Sequence, residues 1–353
     1  MNASASHPLI EHPRRDAIAY VVDPFGLIRV AGSDAMKVLN GLCTANLIKL
    51  PEDACTEAFF ADDRGRVLVH AMVARDAGGG WIVGQIADPA ALAAHIDRFI
   101  FREDATPRDV TSQWFGVLID GPEALSQLAK AAGIDVAELV ARGVMQLQIG
   151  GAEAIEVMAV RLPISSAEAR WCGCRVEQRE QLLRALRALG IGGAVIDDVR
   201  SGEVSAGDAS LGQAQIAQAA ELESLRVANF WPLGGREITE RTLPQELNRS
   251  GATISFTKGC YLGQETVARL DALGEVQKKL CLVQLNSPVP VAEGEPLFRD
   301  GKEVGKLTSP APHLNGQTRC ALAYLRRGSF SVGTEFQLRD FAGIVLEHPV
   351  PEG

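Results

Sequence analysis

The 353-residue sequence predicts an α+β protein in three units: two α+β domains on antiparallel sheets, followed by a small C-terminal β-barrel. Three features point to it. Over the first 275 residues, strand-like and helix-like segments mix twice without the strict alternation that a parallel sheet requires. After residue 279 the helical periodicity gives way to six short strand-like runs. Between two of those runs stands Asp300-Gly301, a two-residue hairpin signal because both residue types tolerate positive φ. The expected units cover residues 15–112, 113–275 and 276–350.

In the first unit, residues 17–30 are strand-like, and Gly32-Ser33-Asp34 supplies a turn and helix cap. Ala35, Met36, Val38, Leu39 and Leu42 then stand at helical spacing. Strands over 56–60 and 67–73 flank Asp62-Asp63-Arg64-Gly65, whose Asp and Gly suit a tight reversal. A strand over 79–86 and a helix over 89–101, striped by Leu92, Ile96, Phe99 and Ile100, complete the unit. The second unit is built alike, with a strand over 114–119, a helix over 122–132, strands over 144–149 and 154–160, and a helix over 177–189. That last helix carries Leu182, Leu183, Leu186 and Leu189 on one face. Residues 191–218, rich in Gly, Ala, Ser and Asp, read as a long connecting loop. The barrel strands are expected at 280–285, 296–299, 303–309, 320–325, 335–338 and 344–347, and closing them leaves no open edge.

Composition narrows the function. A hydrophobic content of 46% with 22% charged residues supports a sizeable core. The net charge of -9 argues against bulk nucleic-acid binding, which needs an excess of Lys and Arg to displace counterions. No stretch approaches the roughly 18 apolar residues of a membrane span. Residues 1–16 lack an apolar region of signal-peptide length and read as a loosely ordered leader of a cytoplasmic protein. Seven scattered cysteines, an odd number, read as reduced thiols. Cys172-x-Cys174 has neither zinc-ribbon spacing nor a nearby His, so no metal site is expected.

The chemistry concentrates at Lys258-Gly259-Cys260-Tyr261-Leu262-Gly263-Gln264-Glu265-Thr266-Val267-Ala268-Arg269. This reads as a glycine-punctuated loop entering a short helix, with Glu265 and Arg269 paired at i,i+4. A thiol just ahead of a helix, two residues from a lysine, is expected to gain thiolate character, as a nucleophile or metal ligand needs. Gly259 and Gly263 let the backbone approach a ligand. The plainer alternative makes Cys260 a small buried apolar residue and the glycines simple turn formers. None of the six histidines pairs evidently with Cys260, so a Cys-His hydrolase finds little support.

Residues 258–269 resemble the K-G-C-Y/F-x-G-Q-E-x-x-x-R signature of the YgfZ family, a folate-binding group related to the glycine-cleavage aminomethyltransferase. All its positions match. The resemblance extends to Arg29-Val30-x-Gly32-x-Asp34-Ala35, to Leu39-Asn40-Gly41-Leu42-Cys43-Thr44 and to Asp63-Arg64-Gly65-Arg66. Further on, Leu225 to Pro232 and Pro244-Gln245-Glu246 occupy the places of L-R-x-x-x-G-x-P and P-x-E, with Phe230 where glycine is expected.

The resemblance implies a three-domain cloverleaf around a central opening that holds tetrahydrofolate or a one-carbon derivative. It implies that Cys260 is the reactive residue, that Arg226 and Glu246 bind the folate or wall its pocket, and that Lys258 and Arg269 shape a charged rim. Gly259, Tyr261, Gln264 and Glu265 join the expected ligand set, with Tyr261 either stacked on the pterin or packed in the core. An arginine fork suits the carboxylates of a folate tail. The implied function is support of iron-sulfur cluster assembly or repair and, through it, tRNA modification, with assembly or client proteins as partners. Folate-dependent aminomethyl transfer or demethylation comes second. Where those enzymes carry a paired aspartate, this sequence has only Asp76, in a glycine loop. A non-catalytic binding module with an inert Cys260 is the third reading.

Overall fold

The computed structural model describes residues 17–22, 25–151, 154–192, 213–274, 276–311 and 318–350. The strand-like stretch at its start is divided between two sheets. β1 (Ile18–Tyr20) joins the second sheet, whereas β2 (Gly26–Ala31) lies in the first. Helix α1 (Ala35–Asn40) follows, then the hairpin of β3 (Cys55–Ala61) and β4 (Val67–Asp76), strand β5 (Gly79–Gly84), helix α2 (Pro89–Asp97) and strand β6 (Thr106–Asp109). The first sheet has the order β3-β4-β5-β2-β6, antiparallel throughout.

The second sheet adds β7 (Trp114–Asp120), helices α3 (Pro122–Ala131) and α4 (Val136–Ala141), β8 (Val144–Ile149), β9 (Ile155–Arg161), β10 (Arg170–Arg175) and helix α5 (Arg179–Ala188). Its order is β1-β7-β10-β9-β8, also antiparallel. Strand β10 is an addition to the expected elements, because Gly173 interrupts a strand-like pattern. The structure supplies the reason for that glycine. The Trp171 ring lies over the backbone of Gly116 and Gly173, and a Cβ at Gly173 would stand 2.1 Å from it.

Alternation along the strands sorts their side chains between two faces. Leu27, Met72, Val83, Leu118, Met158 and Trp171 point inward, where the sheets pack on one another. Their neighbours Ile28, Val73 and Ile82 pack on α1 and α2, while Ile119, Val157 and Cys172 pack on α3, α4 and α5. Each sheet is therefore buried on both faces, which explains why its strands read as nearly continuous apolar runs. Cys172 and Cys174 are part of this outer core, and burial pushes both thiols up to about 12.

Helix α6 (Gln213–Ala228) then leads to the barrel-side segment. The expected loop over 191–218 is corrected at its end: residues 213–218 are helical, while 193–212 lie outside the described residues. Ala, Gln and Glu, which make this stretch look featureless, are strong helix formers. After helix α7 (Gln264–Leu273), six strands close a barrel in the order β11-β14-β13-β12-β15-β16. They are β11 (Lys278–Ser287), β12 (Pro296–Arg299), β13 (Lys302–Pro310), β14 (Thr318–Arg326), β15 (Glu335–Leu338) and β16 (Phe341–Leu346). Asp300 and Gly301 take φ of 50° and 73°, the left-handed pair that the hairpin signal requires. The barrel docks through Leu280, Leu282 and Leu322 onto Phe59, Val227, Phe230 and Leu247. No helix among the described residues is long and apolar enough to cross a membrane.

Candidate functional site

Three segments remote in sequence meet at the loop of residues 258–263. The first is the turn after α1. Lys258 is buried, and its ammonium donates to the carbonyls of Asn40 (2.6 Å), Cys43 (2.8 Å) and Ala45 (2.6 Å), with the Tyr261 ring 4.9 Å away. Burial holds this ammonium below the usual lysine range, and only Cys43 opposes that shift. The turn is itself braced, because Asn40 Oδ1 accepts from the Leu47 N–H at 2.9 Å. Leu262 N–H donates to Gly41 O and Ser255 N–H to Thr44 O, each at 2.9 Å, while the Thr44 hydroxyl donates to Thr253 O at 2.6 Å.

The second segment is the β3–β4 hairpin tip. Asp62 Oδ1 accepts from the N–H groups of Arg64 and Arg66, closing the turn locally. Gly65 and Gly263 both sit at φ 76° and touch through their backbones. A Cβ on Gly263 would stand 2.5 Å from Gly65 Cα, and one on Gly65 would stand 2.8 Å from Gly263 O. The third segment is residues 242–247: Gln245 Nε2 donates to Val267 O at 2.6 Å, and Thr242 O accepts from Val67 N–H at 2.8 Å.

On this frame Cys260 is exposed, and a Cβ on the adjoining Gly259 would meet nothing within 4 Å. The thiol is presented outward and lies outside the apolar core. Tyr261 and Gln264 lock the turn beneath it: Gln264 N–H donates to Tyr261 O, and Tyr261 N–H donates to Gln264 Oε1. Tyr261 is buried, and burial pushes its hydroxyl up to about 12, with Cys43 adding to the shift. Glu265 and Arg269 lie exposed on α7, and no ion pair joins them among the described residues. Water around both side chains leaves little to gain from their pairing.

Arg226 lies elsewhere, in a buried hub between α6 and the barrel. Its five N–H donors meet Glu223 twice, Trp231 O, Glu237 and the Ser309 hydroxyl of β13. Glu246 accepts from Leu243 N–H and lies 3.7 Å from Lys278. Burial raises its carboxyl, against the pull of that N–H and of Lys278. Asp76 is held by a bidentate pair with Arg29 and by the Trp81 indole N–H at 2.8 Å.

Sequence reasoning missed a buried ionic cluster behind this loop. Glu57 accepts from Arg249 Nε at 2.6 Å and Arg249 Nη2 at 2.7 Å, and its Oε1 lies 2.8 Å from His70 Nε2. Burial alone would raise the Glu57 carboxyl, but Arg249 and then His70 hold it well below the usual range. His70 is held low chiefly by burial, against Glu57. The hairpin register carried a signal, since it sets Phe59 opposite His70 and puts Glu57 on the adjacent diagonal. Arg249 also donates to the carbonyl of Phe230, which sits at φ 56° just past the end of α6. Trp231 N–H reaches back to Arg226 O there, a helix stop in which glycine usually takes the left-handed position. Two buried polar atoms, Trp231 Nε1 beside His70 and Arg249 and Gln245 Oε1 in the 242–247 segment, have no hydrogen-bond partner among the described residues.

Two family models match the chain: the GCVT N-terminal domain over residues 9–182 and the glycine cleavage T-protein C-terminal barrel domain over 278–346. The tRNA-modifying protein YgfZ of Colwellia psychrerythraea is 45% identical over 67 residues, covering 18% of this chain and 21% of that protein. The human mitochondrial iron-sulfur cluster assembly factor IBA57 is 32% identical over 115 residues, covering 31% of each. Each of these two matches thus covers less than a third of the relative's length. Among solved structures, the glycine cleavage system aminomethyltransferase T from Bartonella henselae superposes with a TM-score of 0.70 at 18% identity, over 96% of this chain and 87% of that one.

Proposed function

Since the chain belongs to the aminomethyltransferase-like superfamily of the glycine cleavage T-protein, we propose that it is a YgfZ-type folate-binding protein that supports iron-sulfur cluster assembly or repair. Through that role it would support tRNA modification. One observation carries the reading: the K-G-C-Y-x-G-Q-E segment is built as a rigid loop that presents the Cys260 thiol to the outside. An inert cysteine needs no such mounting, and the other six in the chain are buried or half-buried. All seven are free, which favours a reducing compartment such as the cytoplasm.

In this proposal a reduced folate draws on two unpartnered polar atoms. A pteridine carries hydrogen-bond donors and acceptors on a flat ring, and Trp231 Nε1 and Gln245 Oε1 are a buried donor and acceptor lacking partners among the described residues. Arg226 and Lys258 engage all their donors within the protein, so in this proposal they and Glu246 build the walls. In this proposal the exposed Gly259, Glu265 and Arg269 lie on the side that a ligand or partner meets, while Tyr261 and Gln264 hold the turn beneath the thiol. The folate would supply a one-carbon carrier. Aminomethyl transfer is disfavoured because Asp76 is already satisfied by Arg29 and Trp81. Calorimetric titration of the purified protein with tetrahydrofolate and its methylene and formyl derivatives tests the proposal. Saturable binding of at least one reduced folate is expected, and absence of heat with all of them would defeat it.

A further inference from the structure

The lysine of the signature segment has two physical roles open to it. It can lend positive charge to the thiol two residues away, or it can hold the loop in place. The two roles make different demands on the ammonium: the first needs it beside the sulfur, the second needs it bound elsewhere.

The hydrogen bonds of the ammonium favour the second role. Three carbonyl oxygens, from Asn40, Cys43 and Ala45, receive the ammonium at 2.6 to 2.8 Å, and an ammonium has three N–H donors. No donor remains for the sulfur. All three acceptors belong to one turn of the first unit, more than 210 residues away in sequence, and Asn40 Oδ1 braces that turn by accepting from Leu47 N–H. The ammonium lies buried with no carboxylate partner among the described residues, which is costly unless its hydrogen bonds are complete. The loop is fixed at its other end too, where Gly263 meets Gly65. Between these anchors stand only four residues, with Cys260 outward and Tyr261 folded over Lys258.

We propose that Lys258 is a positioning residue whose carbonyl clasp on the turn of residues 40–45 sets where the Cys260 thiol is presented, and that it does not activate the sulfur through charge. The inference rests on Cys260 being the reactive group of the proposed function, but the clasp itself is testable whether or not a folate binds.

Two variants separate the roles. Lys258→Met removes the ammonium and keeps an apolar stem, and Asn40→Ala loosens the cradle while leaving the lysine charge intact. Each is compared with the parent by the pH–rate profile of Cys260 alkylation with iodoacetamide, located by peptide mass, and by hydrogen exchange of amides 258–263 and 40–45. Both are judged at a temperature where circular dichroism shows the protein folded. A clasp predicts that both variants speed exchange in these two segments by at least about tenfold, since hydrogen bonds to a charged group are lost or weakened. It also predicts that both leave the midpoint of the pH–rate profile unmoved. A midpoint raised about one unit or more by Lys258→Met alone, with exchange unchanged, would overturn the proposal in favour of charge activation. Exchange at parental rates in both variants would overturn it as well. Absence of folate binding by the parent, with the clasp signature present in both variants, would count against the proposed function and leave the clasp standing.

Discussion

Gly65 and Gly263 touch backbone to backbone, and this contact fastens the β3–β4 hairpin tip to the start of α7. Both residues lie in the left-handed region, and a Cβ on either would stand closer to the other's backbone than van der Waals contact allows. Gly65→Ala and Gly263→Ala are each expected to cost about 2–4 kcal/mol, combining left-handed strain with a clash against atoms that cannot swing aside. The double variant is expected to cost less than the sum, because the first substitution already opens the contact. Urea unfolding of the two single variants and the double checks this, and strict additivity would show that the two glycines do not act on one contact.

Phe230 predicts an inverted ranking. It is fully buried, its ring stacks on His348 at 4.4 Å, and its backbone holds φ 56°, a conformation that favours glycine. Phe230→Ala loses the ring and keeps the strain, at a cost of about 3–5 kcal/mol. Phe230→Gly loses the same ring but relieves the strain, so it is expected to be about 1 kcal/mol more stable than the alanine variant. Elsewhere in a helix or strand the order would be the reverse. An alanine variant as stable as the glycine variant would show that position 230 carries no backbone strain.

The Glu57, His70 and Arg249 cluster makes stability depend on pH with a definite sign. Glu57's folded value is depressed, so its contribution is complete above the ordinary glutamate value of 4.5 and is withdrawn as pH falls below it. His70 is depressed as well: below its ordinary 6.5 the unfolded chain takes up a proton that the folded chain refuses. Both groups therefore remove stability as pH falls. Glu57→Gln is expected to cost about 3–5 kcal/mol at pH 7, since it strands the Arg249 charge in the interior. It should also flatten the loss of stability below pH 4.5. Denaturant unfolding from pH 7 to 4 in both proteins measures this, and parallel curves would contradict it.

The fold was legible wherever one signal dominated. Asp300-Gly301 and the alternation around it marked the barrel, because a turn needing two positive φ values has few alternative sequences. Strand β10 was hidden because Gly173 interrupts its pattern to leave room for the Trp171 ring, which also covers Gly116 on the neighbouring strand, a pairing that no local pattern announces. Helix α6 was hidden by its small residues, whose helical preference is strong but whose apolar stripe is faint. At the site, Cys260 and its glycines stood out by type and spacing. The role of Lys258 did not, since its acceptors are backbone carbonyls, which carry no sequence signature. The pairing of Arg249 with Glu57 was hidden because a charge pair over so long a separation is decided by the fold, as is the bond from Arg226 to the Ser309 hydroxyl, whereas Arg226 finds Glu223 one turn back on its own helix.

The central claim is that the outward thiol of Cys260 performs the work. Its direct test is the recovery of iron-sulfur enzyme activity in cells that lack this protein and are supplied with either the parent or Cys260→Ala. A reactive thiol predicts that the parent restores the activity. Cys260→Ala, accumulating to the same level and still binding reduced folate, should fail to do so. Full restoration by Cys260→Ala would contradict the claim.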